Sequence, residues 1–585
     1  MISWWLSLAL AAKDPVDLAT RDLARHDGPW TAYTDAQRVL LALPTGDGPL
    51  AELLLVSALP HGLGSNPVGL DRGQLGAVRA VELVDRGATV HVVQTNADHR
   101  ALSDDRAEQA AVRESFATST LAALPVVARN DETVLVELTS FLRSDLHGVA
   151  AAVSGSGNGE LNLDADRTAV RTEATRAFAN NLAFFTAATF ATDAPGPELW
   201  AVAPDPTAVT VELAQLWIAP PPDGYTPHPF DPRGGSFAVG FADHAAAPGA
   251  PLHRAWSTRH RPDEPLIYYV DPGAPEPVRS ALLDGARWWT EAFEAAGVDY
   301  RVELLPRDKS PYDVDVNVIQ WVHRATRGWS YGEALTHPST GEILKGHVTL
   351  GSQRVRHDRR LFEALLGAEN TGTGGADDPE QLALARIRQL AAHEVGHTLG
   401  IRHNFAASTA DRASVMDYPA PWLRVDDGRI VTDEAYGVGV GAWDRAVVRW
   451  LYGGGPIREV AALPFVSDAD ARPAGASTPI GHLWDNGDDP VAELERLVAV
   501  RAVALEGFGV DRVAPGRPLA ELRDAFSLVW LVHRFQLEAV ARSVGDIDYR
   551  YEVREVSAPR PARPVAADAQ RRALASLLGL LRTEH

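Results

Sequence analysis

The run from His393 to His403 carries chemistry in its spacing: His393, Glu394, His397, Gly400 and His403 fall in the pattern H-E-x-x-H-x-x-G-x-x-H. A helix repeats every 3.6 residues, so His393 and His397, four apart, project from one face and can grip a single ion. Glu394, one step around, can hold a water on that ion without being a ligand. Catalytic zinc takes three protein ligands and keeps one position open, so a third ligand must arrive from elsewhere. Gly400 lets the backbone turn sharply at the helix end, which brings His403 back to the ion. Zinc held in this way lowers the pKa of water toward about 7 and polarises a carbonyl; Glu394 then takes the proton and passes it to a leaving amine.

Thirteen residues after His403 comes Met416, the only methionine apart from Met1. Together with residues 414–418 (SVMDY), the helix resembles the metzincin clan of zinc proteases, whose members place a Met-turn beneath the metal. Residues 393–405 (HEVGHTLGIRHNF) and 414–421 (SVMDYPAP) look like a family of large bacterial exported zinc-dependent metalloproteases whose long N-terminal region is a domain of unknown function. Residues 66–76, 317–332 and 346–351 are similar to the same family, so the resemblance covers most of the chain up to about residue 580. It implies His393, His397 and His403 as zinc ligands, Glu394 as base and Met416 as the floor of the site. It also implies that Tyr418 swings toward the metal and stabilises the tetrahedral oxyanion, the alternative being a packed aromatic in the turn. Residues 418–421, Pro419 among them, would wall the specificity pocket. His347, Val348 and Thr349 would lie on the edge strand that hydrogen-bonds an extended peptide; otherwise His347 is an ordinary surface histidine. Asn404 departs from the residue that the best-known subfamilies place after the third histidine, so their substrate preferences do not carry over.

The whole chain narrows the partners. A net charge of −22 argues against nucleic acid and anionic membrane surfaces, because phosphate binding needs clustered Lys and Arg. Cysteine is absent, which removes disulfides, thiolate ligands, a lipid-modified N-terminal cysteine and latency by a cysteine on the zinc. Residues 1–12 (MISWWLSLALAA) resemble a signal-peptide apolar region with an A-x-A cleavage site, though without a basic start, and imply a periplasmic or secreted bacterial protein. No later run reaches 18 apolar residues, so no membrane span is expected in the mature protein.

The fold class expected is α+β: a metzincin-like domain over 256–455, with a mixed twisted sheet, zinc helix and Met-turn. A mainly β region over 25–255 precedes it and a helical region over 456–585 follows. Period-2 apolar patterns predict strands at 38–43, 53–56, 78–84, 90–94, 134–138, 209–218 and 236–241, with a helix over 105–124. In the catalytic region the pattern predicts a strand at 266–270, a helix over 275–296, strands at 300–305, 316–322 and 343–350, then the zinc helix from Pro379. Residues 367–376 (GAENTGTGGA) read as a disordered surface loop or, less well, a lid. Residues 485–489 (DNGDD) could bind a structural calcium ion but lack the EF-hand pattern and read better as a solvated acidic turn. Three functions stay open: a zinc endopeptidase acting on peptides or proteins, a catalytically degenerate metzincin serving as a binding or scaffold protein, and a zinc amidase with a non-protein substrate.

Overall fold

A computed structural model describes residues 14–581 except 327, 473–475, 477, 549 and 555–561. The expected signal peptide over 1–12 lies outside the described residues. The chain divides into two compact units: Met1–Asp223 with Phe241–Leu252 and Tyr312–Asp315, and Gly224–Gly240 with His253–Pro311 and Val316–His585.

The first unit is mainly β. Its strands form a 13-stranded antiparallel sheet whose long members Pro49–His61, Ala208–Ile218 and Asn181–Ala191 lie side by side. Alternating apolar residues put Leu53, Leu55, Leu182, Phe184 and Trp217 into one cluster closed by Phe141 and Leu142, and Val209, Val211 and Phe190 into another closed by Val149, Val153 and Leu199. The helix expected over 105–124 is shorter. Asp105 caps Arg106–Ser115 through its side chain, and the chain then extends as the strand Ser119–Arg129. The Leu-Ala-Ala-Leu run at 121–124 has helical propensity, yet it pairs with Thr89–Gln94 on one side and the strand continues to pair with Thr133–Glu137 on the other. Sheet pairing overrides local preference there.

The second unit holds a five-stranded sheet in the order Tyr300–Leu304, Leu266–Val270, Asn317–Val322, Ile343–Gly351, Tyr331–Thr336. The first four are parallel and the last is antiparallel. Parallel neighbours need a crossover, which the helical segments Val278–Ala286 and Thr290–Ala295 supply between the first two strands in sequence. Ala281, Leu282, Trp289 and Phe293 from that crossover join Val348, Leu350, Ile387, Ala391, Val395 and Met416 in the main core.

This sheet corrects one expectation. Tyr331–Thr336, which has no strong apolar alternation, is a strand the sequence did not reveal, and it occupies the edge. His347, Val348 and Thr349 are interior: they pair with Val318, Ile319 and Gln320 on one side and with Glu333, Gly332 and Tyr331 on the other. All three are buried, so none presents an edge backbone to a peptide and His347 is not a surface residue.

The helix that carries His393 and His397, Pro379–Thr398, starts where Asp378 accepts the Glu380 N–H at 2.8 Å and Pro379 fixes the first turn. The same carboxylate accepts the N–H groups of Gly372 and Gly374 at 3.0 and 2.8 Å. The 367–376 insert is therefore a hydrogen-bonded turn built onto the helix start, not a disordered loop. Beyond the Met-turn, Ala442–Tyr452 follows, and Pro490–Glu506, Leu522–Trp530, Arg534–Arg542 and Ala567–Gly579 are helical. Residues 485–489 are not a solvated turn: Asp485 and Asn486 are buried, and Asp489 caps Pro490–Glu506. Among the described residues no helix is long and apolar enough to cross a membrane.

Candidate metal centre

The helix Pro379–Thr398 ends in a Schellman turn. Gly400 takes φ +88°, its N–H bonds the His397 carbonyl at 3.0 Å, and the Ile401 N–H bonds the Gly396 carbonyl at 3.1 Å. The reversed chain is then held from outside, as Phe237 donates to the Gly400 carbonyl and Arg402 to the Gly235 carbonyl, both at 2.8 Å. The turn delivers His403 to His393 and His397. The ligand nitrogens of the three lie within 4.8 Å of one another, and no other group of three or more His, Cys, Asp or Glu does so among the described residues.

The hydrogen bonds show whether these rings suit a cation. His393 Nδ1 meets the Val415 carbonyl at 2.8 Å, His397 Nδ1 the Ile401 carbonyl at 2.9 Å, and His403 Nδ1 the Asp468 carboxylate at 2.8 Å. Acceptors at all three Nδ1 positions place the protons there and leave the Nε2 lone pairs facing inward. His397 Nε2 and His403 Nε2 stand 3.2 Å apart, and His393 Nε2 is buried with no hydrogen-bond partner. Two inward lone pairs at that distance repel each other unless a cation lies between them. Burial, with the neighbouring imidazoles adding to it, holds His397 down to about 3 and His393 well below the usual imidazole range, so both are neutral at physiological pH. The residues fit a metal ion.

Glu394 is buried beside this trio. Burial pushes its carboxyl up to about 8, opposed by Arg386 and Arg354 and by the Gly332 N–H. A cation at the trio pulls in the same direction as the arginines and favours the carboxylate. Met416, fully buried, lies under the helix against Gly396, where a side-chain carbon would stand 2.2 Å from the Met416 sulfur. Asp444 fixes the Met-turn from below, accepting from Ser414 Oγ at 2.5 Å and from the N–H groups of Val415 and Gly441 at 2.8 and 2.7 Å. The Tyr418 ring packs 5.3 Å from that of His393 and 4.8 Å from that of His403, and its phenol oxygen accepts from Arg472 at 2.8 Å. Pro419 follows, half-buried, in the segment beside the site. Asn404 is buried and ties this turn to the C-terminal region through the Pro464 carbonyl and the Val466 N–H.

Several residues at the site escaped the sequence reading. Arg386 lies two turns before His393, is fully buried, and donates to Gln389, which donates to the Val415 carbonyl at 3.0 Å. Both sit on the histidine face at spacings of seven and four, a signal helical periodicity offers. Phe237, with its ring 5.7 Å from that of His397, and Asp468 and Arg472 come from distant segments with no such signal.

Behind the Met-turn, Asp417 and Asp485 are buried against each other. Asp417 accepts from the Ser408 N–H at 2.9 Å and the Tyr418 N–H at 2.7 Å, while Ser408 Oγ points at Asp485 from 3.5 Å. Burial raises both carboxyls, and the charge of Asp417 adds to the rise at Asp485. A carboxyl raised on folding binds its proton more tightly in the native state, so stability falls as pH climbs from 3.8 through the raised value. Asp485→Asn should remove part of that fall. The variant is expected to melt above wild type at pH 8, with the difference closing toward pH 4; parallel melting curves across that range would contradict the pair.

Zinc helix, glycine turn, third histidine and Met-turn together define a metalloprotease-like domain of the metzincin type. Residues 375–584 match a family model described as Met-zincin, and residues 73–262 match one described as Domain of unknown function (DUF5117). The two matches support a metzincin-type family with that N-terminal domain. No curated protein and no solved structure matches it.

Proposed function

We propose that this protein is a zinc-dependent endopeptidase in which His393, His397 and His403 hold the ion and Glu394 is the general base. The observation that carries the reading is the inward set of Nε2 lone pairs, two of them 3.2 Å apart, beside a buried carboxylate. Zinc bound there supplies Lewis acidity, which acidifies water and polarises a substrate carbonyl. Glu394 takes the proton from the attacking water and delivers it to the departing amine. Tyr418 accepts from Arg472 through its oxygen, which leaves its own O–H to donate to the developing oxyanion.

The substrate's backbone pairs with Tyr331–Thr336, the sheet edge, in place of the interior strand that holds His347, Val348 and Thr349. Support for this comes from Gly332, whose N–H faces Glu394 and so sets the edge strand beside the catalytic carboxyl. Pro419 and its neighbours wall the pocket that takes a substrate side chain. Export belongs to the same reading and rests on the apolar run 1–12 with its Ala9-Leu10-Ala11 ending.

Mass-spectrometric profiling of a broad peptide library incubated with the full chain tests the proposal. The zinc-loaded protein is expected to produce internal cleavages that a chelator abolishes and added zinc restores. Protein that binds one zinc per chain yet leaves the library intact would rule the reading out.

A further inference from the structure

The three ligands are not oriented alike. His393 and His397 sit on a buried helix and give their Nδ1 protons to backbone carbonyls, Val415 and Ile401, that lie within the site's own turns. His403 sits on a turn, keeps 12% of its side chain exposed, and gives its proton to a side chain sixty-five residues further on. That side chain, Asp468, is a carboxylate. A carboxylate on Nδ1 fixes the tautomer and raises the basicity of the opposite nitrogen, which a backbone carbonyl does less well.

Asp468 is itself gripped. Its second oxygen receives Arg472 Nε at 2.5 Å, and the Nη2 of the same guanidinium donates to the Tyr418 phenol at 2.8 Å. Both oxygens of Asp468 are thus taken, Oδ2 by His403 Nδ1 and Oδ1 by the Arg472 guanidinium. The short helix Asp468–Ala471 is pinned from the far end of the chain. Tyr551 donates to Asp470 at 2.5 Å and accepts the Ser467 N–H at 3.3 Å, and Arg542 donates to the Ala471 carbonyl at 2.5 Å. The C-terminal helical region thus ends, chemically, on the third ligand.

We infer that Asp468 and Arg472 are positioning residues of the metal centre: Asp468 orients and strengthens His403 as a ligand, and Arg472 locks that carboxylate to the phenol of Tyr418. The inference rests on the reading that the three histidines hold the ion. It does not need the protein to cleave peptides. A purely structural role is the competing account, and the exposures weigh against it: the Asp468–Arg472 pair, 34% and 46% exposed, is of a kind that contributes little to folding.

Competition against a chromophoric chelator measures zinc affinity of the full-length wild type, Asp468→Asn, Asp468→Ala, Arg472→Gln and the Asp468→Ala/Arg472→Gln double variant. Thermal melting of the metal-free proteins reports the fold separately. Loss of the carboxylate is expected to weaken zinc about 10- to 100-fold, the range for ligand-orienting partners, with metal-free melting temperatures unchanged. Arg472→Gln should weaken zinc less, and should add nothing once Asp468 is alanine, because it acts through that carboxylate. Wild-type zinc affinity in both Asp468 variants overturns the inference and leaves the proposed function standing. An affinity loss matched by an equal loss of metal-free stability also overturns it, since that is the signature of a structural role. Failure of the wild type to bind zinc at all sinks both.

Discussion

Glu394→Ala should lower kcat/KM for peptide cleavage by about a hundred- to ten-thousand-fold while zinc stays bound. The carboxylate is not among the nitrogens that converge on the ion, so its removal leaves the three ligands and their Nδ1 bonds in place. What disappears is the buried base beside the trio. Burial has pushed its carboxyl up to about 8 in the absence of metal. With the cation added to the pull of Arg386 and Arg354, ionisation moves to lower pH, and the base works in its deprotonated form. Wild-type kcat/KM should therefore rise with pH along an acid limb below about 8, and the residual activity of the alanine variant should lack that limb. Glu394→Gln, which keeps the volume of a buried side chain, guards against a packing artefact. Equal zinc content with wild-type turnover in both variants would remove Glu394 from the chemistry.

How much of this was legible in the sequence depends on how far apart the cooperating residues lie. Ligands and base within one helix and its following turn announce themselves, because 3.6-residue periodicity converts spacing directly into geometry. The strands Leu266–Val270, Asn317–Val322 and Ile343–Gly351 were readable from their apolar runs, since buried parallel strands carry little else. Tyr331–Thr336 was not. This edge strand is half-exposed, contains a glycine where it nears Glu394, and has only Leu335 fully buried, so it lacks the pattern that marks its neighbours. Missing it shifted the edge by one strand and placed substrate contacts on His347, Val348 and Thr349. Asp485 failed for the opposite reason: an acidic run looks solvated in sequence, and only the tertiary fold shows one member turned inward against Asp417. Asp468 and Phe237 reach the ligands across 65 and 160 residues of chain, beyond anything local periodicity can report.

Gly400→Ala is expected to cost about 2–5 kcal/mol of stability and to take zinc binding with it. Two independent penalties coincide at this residue. Its φ of +88° lies in the left-handed region, where a β-carbon costs roughly 1–2 kcal/mol. The added carbon would also stand 2.0 Å from the Thr258 carbonyl oxygen, a backbone atom that cannot rotate away. Thr258 has no slack to give, since its N–H bonds the Phe237 carbonyl at 2.9 Å while Phe237 in turn donates to Gly400 itself. The strain must be relieved by moving the turn, and the turn is what carries Ile401 and His403. Displacing Ile401 frees the Nδ1 of His397 from its acceptor; displacing His403 separates the 3.2 Å nitrogen pair. Zinc affinity should then fall far more than it does for Asp468→Asn, with the melting temperature of the metal-free protein dropping alongside it. Calorimetry with and without zinc checks both halves: a variant that melts like wild type and still gains stability from the metal would show that the glycine is not what returns the third ligand.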